Sequence, residues 1–163
     1  MLNLGWRCQA SMIIDSAITY YQRSTDFYLE LDFKRKLPLG WLYSNLGKCY
    51  RIKGKLEKSN EYISKAISIY GRYKEKRGLV LKLKADLCLN NSDYPQMLEH
   101  RRELLKFRLR KHKSDSFEIM QCYSYISEAY IKMGDEKNAI ENLEKVIHYR
   151  KENNIPKKNA PEL

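Results

Sequence analysis

The sequence predicts an all-α chain, folded as an α-solenoid of stacked helix-turn-helix units. Three observations carry that expectation. Apolar residues recur at three- and four-residue steps, the spacing of one helix face, through most of the chain. The pattern restarts about every 40 residues. Glycine (7) and proline (4) are too few in 163 residues for the many tight turns of a sandwich or barrel. Hydrophobic residues make up 43% of the chain, enough to fill a core, so wholesale disorder is excluded.

The repeat can be followed residue by residue. Asn3-Leu4-Gly5 returns as Asn45-Leu46-Gly47, 42 residues on. The register holds through the next helix: Ala17 falls on Ser59, Tyr21 on Ile63, Ser24 on Ala66 and Phe27 on Ile69. Gly54-Lys55-Leu56 returns as Gly134-Asp135-Glu136, 80 residues on, with Ser92-Asp93-Tyr94 midway. This gives one array of four units, 1–37, 38–77, 78–117 and 118–152, followed by a loose tail 153–163 that holds Pro156 and Pro161. The first unit lacks its opening residues. The array is therefore expected to be part of a longer one, with Leu2, Leu4 and Trp6 at an end that a partner or a second copy covers.

Helices are expected at 1–10, 14–34, 40–53, 56–75, 79–90, 94–111, 117–133 and 136–152. The second of these follows from the register just described. In the second unit, Trp41, Leu42, Tyr43, Leu46, Cys49 and Tyr50 mark a first helix, Gly54 breaks it, and Leu56, Ile63, Ala66, Ile67 and Tyr70 mark a second. Leu81, Leu83 and Leu87, then Met97, Leu98, Leu104 and Leu105, give the third unit two apolar faces. Lys84 and Arg101 stand there where the neighbouring units have apolar residues. Either that unit is rotated, or both cations reach the surface along their stems. In the fourth unit Cys122, Tyr123, Ile126 and Tyr130 precede Gly134, and Ala139, Ile140, Leu143, Val146 and Tyr149 follow it. Asp93 and Asp135 suit the caps of the sixth and eighth helices, and Ser114-Asp115-Ser116 that of the seventh. Small residues recur where two helices must approach closely: Gly47, Ala85 and Ser127 on first helices, Ala17, Ser59 and Ala139 on second ones.

The spacing of Tyr43, Leu46, Gly47, Tyr50, Gly54, Ser59, Ile63 and Ala66 resembles the tetratricopeptide repeat, and so does that of Tyr123, Ile126, Ser127, Tyr130, Gly134, Ala139 and Leu143. The resemblance covers nearly the whole chain and implies a right-handed solenoid. The units are longer than the usual 34 residues. Longer units of this kind occur in kinesin light chain, cell-polarity scaffolds and bacterial peptide-sensing regulators. The resemblance implies a non-enzymatic protein-interaction scaffold that binds an extended peptide or helix. A sensory domain of a signalling protein or transcription regulator is the alternative, and nucleic-acid binding through a basic edge is a third.

In such a stack the first helix of each unit lines a concave face. Phase places Trp41, Ser44, Asn45, Lys48 and Arg51 there from the second unit, Lys82 and Asp86 from the third, Ser124 and Glu128 from the fourth, and Trp6 from the first. Trp6 and Trp41 are candidate anchors, since tryptophan supplies large contact area at low entropy cost. Packing of Trp41 against the preceding unit competes with that role. The Lys-and-Asn clamp with which related domains hold an acidic chaperone C-terminus is not matched, because Ser44, Asp86, Ser124 and Glu128 stand at its positions.

The formal charge of +11 is unevenly spread: residues 34–58 carry eight cations and one anion, 72–84 six and one, and 94–113 seven and two. The densest clusters are Lys34, Arg35 and Lys36; Arg72, Lys74, Lys76 and Arg77; and Arg108, Arg110, Lys111 and Lys113. All fall near loops between units and would form a basic edge. Solvated cations that finish helix C-termini are the competing reading.

Cys8, Cys49, Cys88 and Cys122 sit singly in apolar patterns, with no CxxC pair. They read as reduced buried thiols, which implies an intracellular, cytoplasmic setting. His100, His112 and His148 have no metal-ligand spacing, and no phosphate loop, GxSxG or HExxH occurs. No enzyme, cofactor or metal is expected. No 18-residue apolar run suggests a membrane span.

Overall fold

A computed structural model describes residues 13–31, 36–111 and 117–152. They hold seven α-helices and one 3₁₀ turn, and no strand. The helices are α1 (Ile14–Glu30), α2 (Leu37–Ile52), α3 (Leu56–Tyr70), α4 (Arg77–Asn90), α5 (Tyr94–Lys111), α6 (Phe117–Met133) and α7 (Glu136–Glu152). The 3₁₀ turn, Lys74–Lys76, precedes α4. The chain divides into two compact units, Met1–Ser92 and Asp93–Leu163, a boundary that falls inside the span 78–117. The expected helix 1–10, the Ser114-Asp115-Ser116 cap, the tail 153–163, Cys8 and His112 lie outside the described residues.

In the N-terminal unit, α1 packs on α2, α2 on α3 and α3 on α4. Ala17, Ile18 and Tyr21 of α1 meet Leu39, Leu42, Leu46, Cys49 and Tyr50 of α2, with Ile69 of α3. Ile63, Ala66 and Tyr70 of α3 form a second cluster with Leu83 of α4. The expected close approach falls at Gly47. A Cβ there would lie 2.7 Å from Ile63 Cγ1 and 3.3 Å from the Ser59 carbonyl oxygen. The Ser59 hydroxyl donates to the Gly47 carbonyl across the same contact, at 2.8 Å. The Asn90 amide, at the end of α4, donates to the Ser59 hydroxyl and to Asn60 Oδ1, both at 2.8 Å, and Asn60 donates to Asn91. A polar chain thus runs through α2, α3 and α4.

In the C-terminal unit, α6 packs against both α5 and α7. Met97, Leu98 and Leu104 of α5, Ile119, Met120, Cys122, Ile126, Ala129 and Tyr130 of α6, and Ala139 and Tyr149 of α7 are buried. Asp93 and Asp135 accept from the Gln96 and Asn138 amides, so both act as the expected caps.

The turns explain the period. Gly54, Ser92 and Gly134 all have left-handed backbones, with φ of 70°, 57° and 74°. In each, the backbone N–H donates three residues back, to Arg51, Leu89 and Ile131. A left-handed residue closes a helix by satisfying its last carbonyls, and glycine does so without a Cβ clash.

Five helix limits differ from expectation: α1 ends at Glu30, four residues before 34, and α2 at Ile52, one before 53, while three others shift by more local causes. α2 begins three residues early, because Pro38 sits in its first turn, where a missing N–H costs nothing. α3 stops at Tyr70, and the chain turns through Gly71 and the 3₁₀ segment. α4 begins at Arg77 directly after it. The third-unit cations part company. Lys84 is exposed, whereas Arg101 is only 4% exposed. Surface relief along the stem therefore holds for Lys84 and fails for Arg101.

Gly47→Val should destabilise the fold by about 1–3 kcal/mol through overpacking against Ile63. Urea denaturation checks it, with an unchanged m-value expected.

Candidate functional site

The expected groove residues of the N-terminal unit lie on α2 and α4. Trp41 is 36% exposed, and its ring meets Tyr21 of α1 edge-on, with centroids 5.6 Å apart. It therefore packs on the preceding helix and still offers surface. Ser44 and Arg51 are half-buried. Asn45 turns inward: it is buried, and its amide donates to the Trp41 carbonyl at 2.9 Å. Its contribution is to hold the backbone beneath Trp41, because little of it reaches solvent.

Lys48 is the electrostatic centre of this face. Its pKa is lowered, first by burial, then by the like charge of Lys82 on α4, with Asp86 acting in the opposite direction and Arg51 adding to the lowering. The helix pair thus brings Lys48, Arg51, Lys82 and Asp86 into one electrostatic neighbourhood, three cations with one carboxylate. Such a recess favours an anionic group, because an added negative charge relieves the repulsion that burial intensifies. Beneath it, burial pushes the Cys49 thiol up to about 11. That keeps the thiol protonated and unreactive near neutral pH. Cys88 and Cys122 are buried as well.

Ser124 and Glu128 belong to the C-terminal unit. Ser124 is half-buried and donates back to the Met120 carbonyl at 3.4 Å. Glu128 is engaged by Arg101 of α5, whose Nη1 lies 3.0 Å from Glu128 Oε2 and also bonds the Tyr125 carbonyl. The Arg101 guanidinium sits over the Tyr125 ring, 5.4 Å from its centroid. Arg102 bonds the Tyr130 hydroxyl beside it. Periodicity could not reveal this pair, since its members are 27 residues apart.

Trp6, Lys34, Arg35 and Lys113 lie outside the described residues. Of the basic edge in the N-terminal unit, Lys36, Arg72, Lys74 and Arg77 are exposed and Lys76 is half-buried. Lys36 precedes α2, and the others surround the start of α4. Because α2, α3 and α4 alternate in direction, all five stand at one end of that unit. In the C-terminal unit Arg110 is exposed, Arg108 is half-buried, and Lys111 ends α5. Most tyrosines pack rather than present: Tyr50 and Tyr62 stack at 5.4 Å and 3°, with Lys58 over Tyr50 and Lys65 over Tyr62. His148 is exposed and pairs with Glu152 at 3.0 Å. Among the described residues, no group of three or more His, Cys, Asp or Glu could hold a metal ion, and no helix is long and apolar enough to cross a membrane.

Two outcomes follow from these charges. Lys48 gives up its proton at lower pH in the folded chain than in the unfolded one, so its charged form opposes folding and the penalty fades as pH rises toward 10.5. Lys48→Met should therefore be more stable than the wild type at pH 7, with the gap narrowing toward pH 10 in paired denaturation curves. In the C-terminal unit, Glu128→Ala leaves a buried guanidinium short of its counter-charge and should cost about 1–3 kcal/mol. The double variant Arg101→Met/Glu128→Met should cost less than that single change in the same assay.

A family profile for the tetratricopeptide repeat matches residues 42–73 and 121–153. The first match spans α2 and α3, and the second runs from within α6 to the end of α7. No curated protein sequence matches the chain. Among solved structures, the chain is similar to BtubC (BKLC) from P. vanneervenii, with a TM-score of 0.74 and 16% identity over 98% of this chain and 67% of that one. It is also similar to nearly identical repeats of a kinesin light chain of Podosopora anserina, with a TM-score of 0.66 and 15% identity over 94% of this chain and 74% of that one. A Rap protein complexed with Competence and Sporulation Factor gives a TM-score of 0.76 and 17% identity over 93% of this chain but 42% of that one. At these identities the likeness is one of fold. Together with helix pairs closed by left-handed turns 38 and 42 residues apart, it shows an all-α repeat fold in which residues 42–73 and 121–153 match the tetratricopeptide repeat.

Proposed function

We propose that this chain is a protein-interaction module, and that its N-terminal unit holds an extended peptide or helix of a protein partner across α2 and α4. Repeats of this family typically serve as protein-interaction modules. The single observation that supports the reading is the neighbourhood of Lys48. A half-buried ammonium crowded by Lys82 and Arg51 destabilises the free protein, and a bound anionic side chain would offset that cost. Trp41, held edge-on by Tyr21 and still 36% exposed, supplies the apolar anchor beside it. Ser44 and Asp86 add hydrogen-bonding groups that can read a peptide backbone or a neighbouring cation. The Rap protein, whose structure holds Competence and Sporulation Factor, supports a regulatory version of the same use, in which the occupant is a small signal and not a scaffold partner.

A random-peptide display library panned against the purified chain tests the reading. Enriched peptides should carry an acidic residue near an apolar one. Trp41→Ala and Lys48→Glu should each weaken the selected peptides about tenfold or more, a loss of roughly 1.4 kcal/mol, measured by fluorescence anisotropy. Equal binding to both variants and the wild type would remove α2 and α4 as the binding face.

A further inference from the structure

The C-terminal unit holds a second cationic feature, apart from the groove. Arg108 Nη1, near the end of α5, and Arg150 Nη2, near the end of α7, are buried and have no hydrogen-bond partner. Both residues continue the stripe of their helix that faces α6. Arg108 follows the buried Leu104 by one turn and the buried Arg101 by two, and Arg150 follows the buried Ala139 by three. α5 and α7 both pack on α6 and run opposite to it, so their C-terminal turns stand at the same end of the unit, beside the first turn of α6.

A guanidinium is always charged, and its fork of donors suits the oxygens of phosphate and carboxylate groups. A buried donor without an acceptor carries its full desolvation cost, which native structures seldom leave unrelieved. Here two such donors occur at one end of one three-helix unit. The nearest acid on α7, Glu152, is turned to His148. The first turn of α6 adds its positive end, which favours anions, and the Glu118 carboxylate, which opposes them, so the two guanidinium groups set the sign of the site.

We propose that Arg108 and Arg150 form a phosphate-class oxyanion site at this end of the C-terminal unit, independent of the peptide face on α2 and α4. The ligand is a tetrahedral oxyanion, either free phosphate or a phosphate monoester on a small molecule. It accepts from both guanidinium groups and supplies the acceptors that the helices do not.

Thermal denaturation in sodium phosphate, against sodium chloride of matched ionic strength, tests the site. The midpoint should climb with each tenfold rise in phosphate, because a ligand that binds only the folded chain stabilises it by mass action. Arg108→Gln and Arg150→Gln should each lose that climb. Arg110→Gln removes the same charge from an exposed position and should keep it. O-phosphoserine in place of inorganic phosphate separates the two sources: a steeper climb marks a monoester site, and an equal or shallower one marks free phosphate. A wild-type midpoint that phosphate does not raise beyond chloride would overturn the proposal. So would an equal phosphate response in all three variants, which is the behaviour of diffuse attraction to a basic protein. If either glutamine variant fails to fold, titration calorimetry of the wild type with phosphate decides, and the lack of a saturable heat rejects the site.

Discussion

The N-terminal unit depends on two helix backbones meeting so closely that one of them has no room for a Cβ. At Gly47 the space a methyl group would need is already taken by Ile63. The same contact is closed by a hydrogen bond from Ser59, whose side chain is wholly buried. Dispersion forces fall steeply with separation, so close seating of α2 on α3 improves every apolar contact along the pair. Leu42, Leu46, Cys49 and Ile63 are all essentially inaccessible to solvent as a result. The C-terminal unit buries small residues at the matching positions, Ser127 on α6 and Ala139 on α7, but there the Ser127 hydroxyl bonds the Ser124 carbonyl of its own helix.

From that contact the rest of the unit is positioned by polar groups. Ser59 accepts from Asn90, so the end of α4 is tied to α3 at the point where α3 is tied to α2. Buried hydrogen bonds of this kind constrain geometry more than they add stability, because each exchanges one partner in water for one in the protein. Their effect here is to fix α4 relative to α2, and with it Lys82 and Asp86 relative to Lys48. A cationic recess on mobile elements would relax by letting its charges drift apart. On helices held in this way, the repulsion persists in the free protein and remains available to favour an anionic occupant.

The sequence pattern carried most of the backbone and only part of the chemistry. α5, α6 and α7 begin and end at the positions periodicity indicates, because Asp93, Asp135 and Gly134 are strong local signals. α2 and α3 differ at ends governed by Pro38 and Gly71, where the apolar stripe runs past the helix limit. Among candidate site residues, the nearness of Lys48 and Lys82 follows from phase alone. The inward turn of Asn45 does not, because a polar residue at a helix position can face solvent or bond the carbonyl one turn back, and phase does not separate the two. Arg101 was the hardest to read. A charged residue in an apolar register signals a conflict, but its resolution lies on another helix, in Glu128 and the Tyr125 carbonyl.

Repeat proteins are often treated as strings of exchangeable parts, each joined to its neighbours by similar apolar seams. The Arg101–Glu128 contact gives α5 and α6 a seam that is charged as well as apolar. A consensus second helix, with leucine or isoleucine at that position, would leave Glu128 without its partner. A first helix lacking Glu128 would strand the guanidinium. Sliding α5 along α6 by one turn would do both at once. The pair thus acts as a key between these two helices: it ties them to one register in the folded chain, and it marks a place where exchanging one repeat would strand a charge.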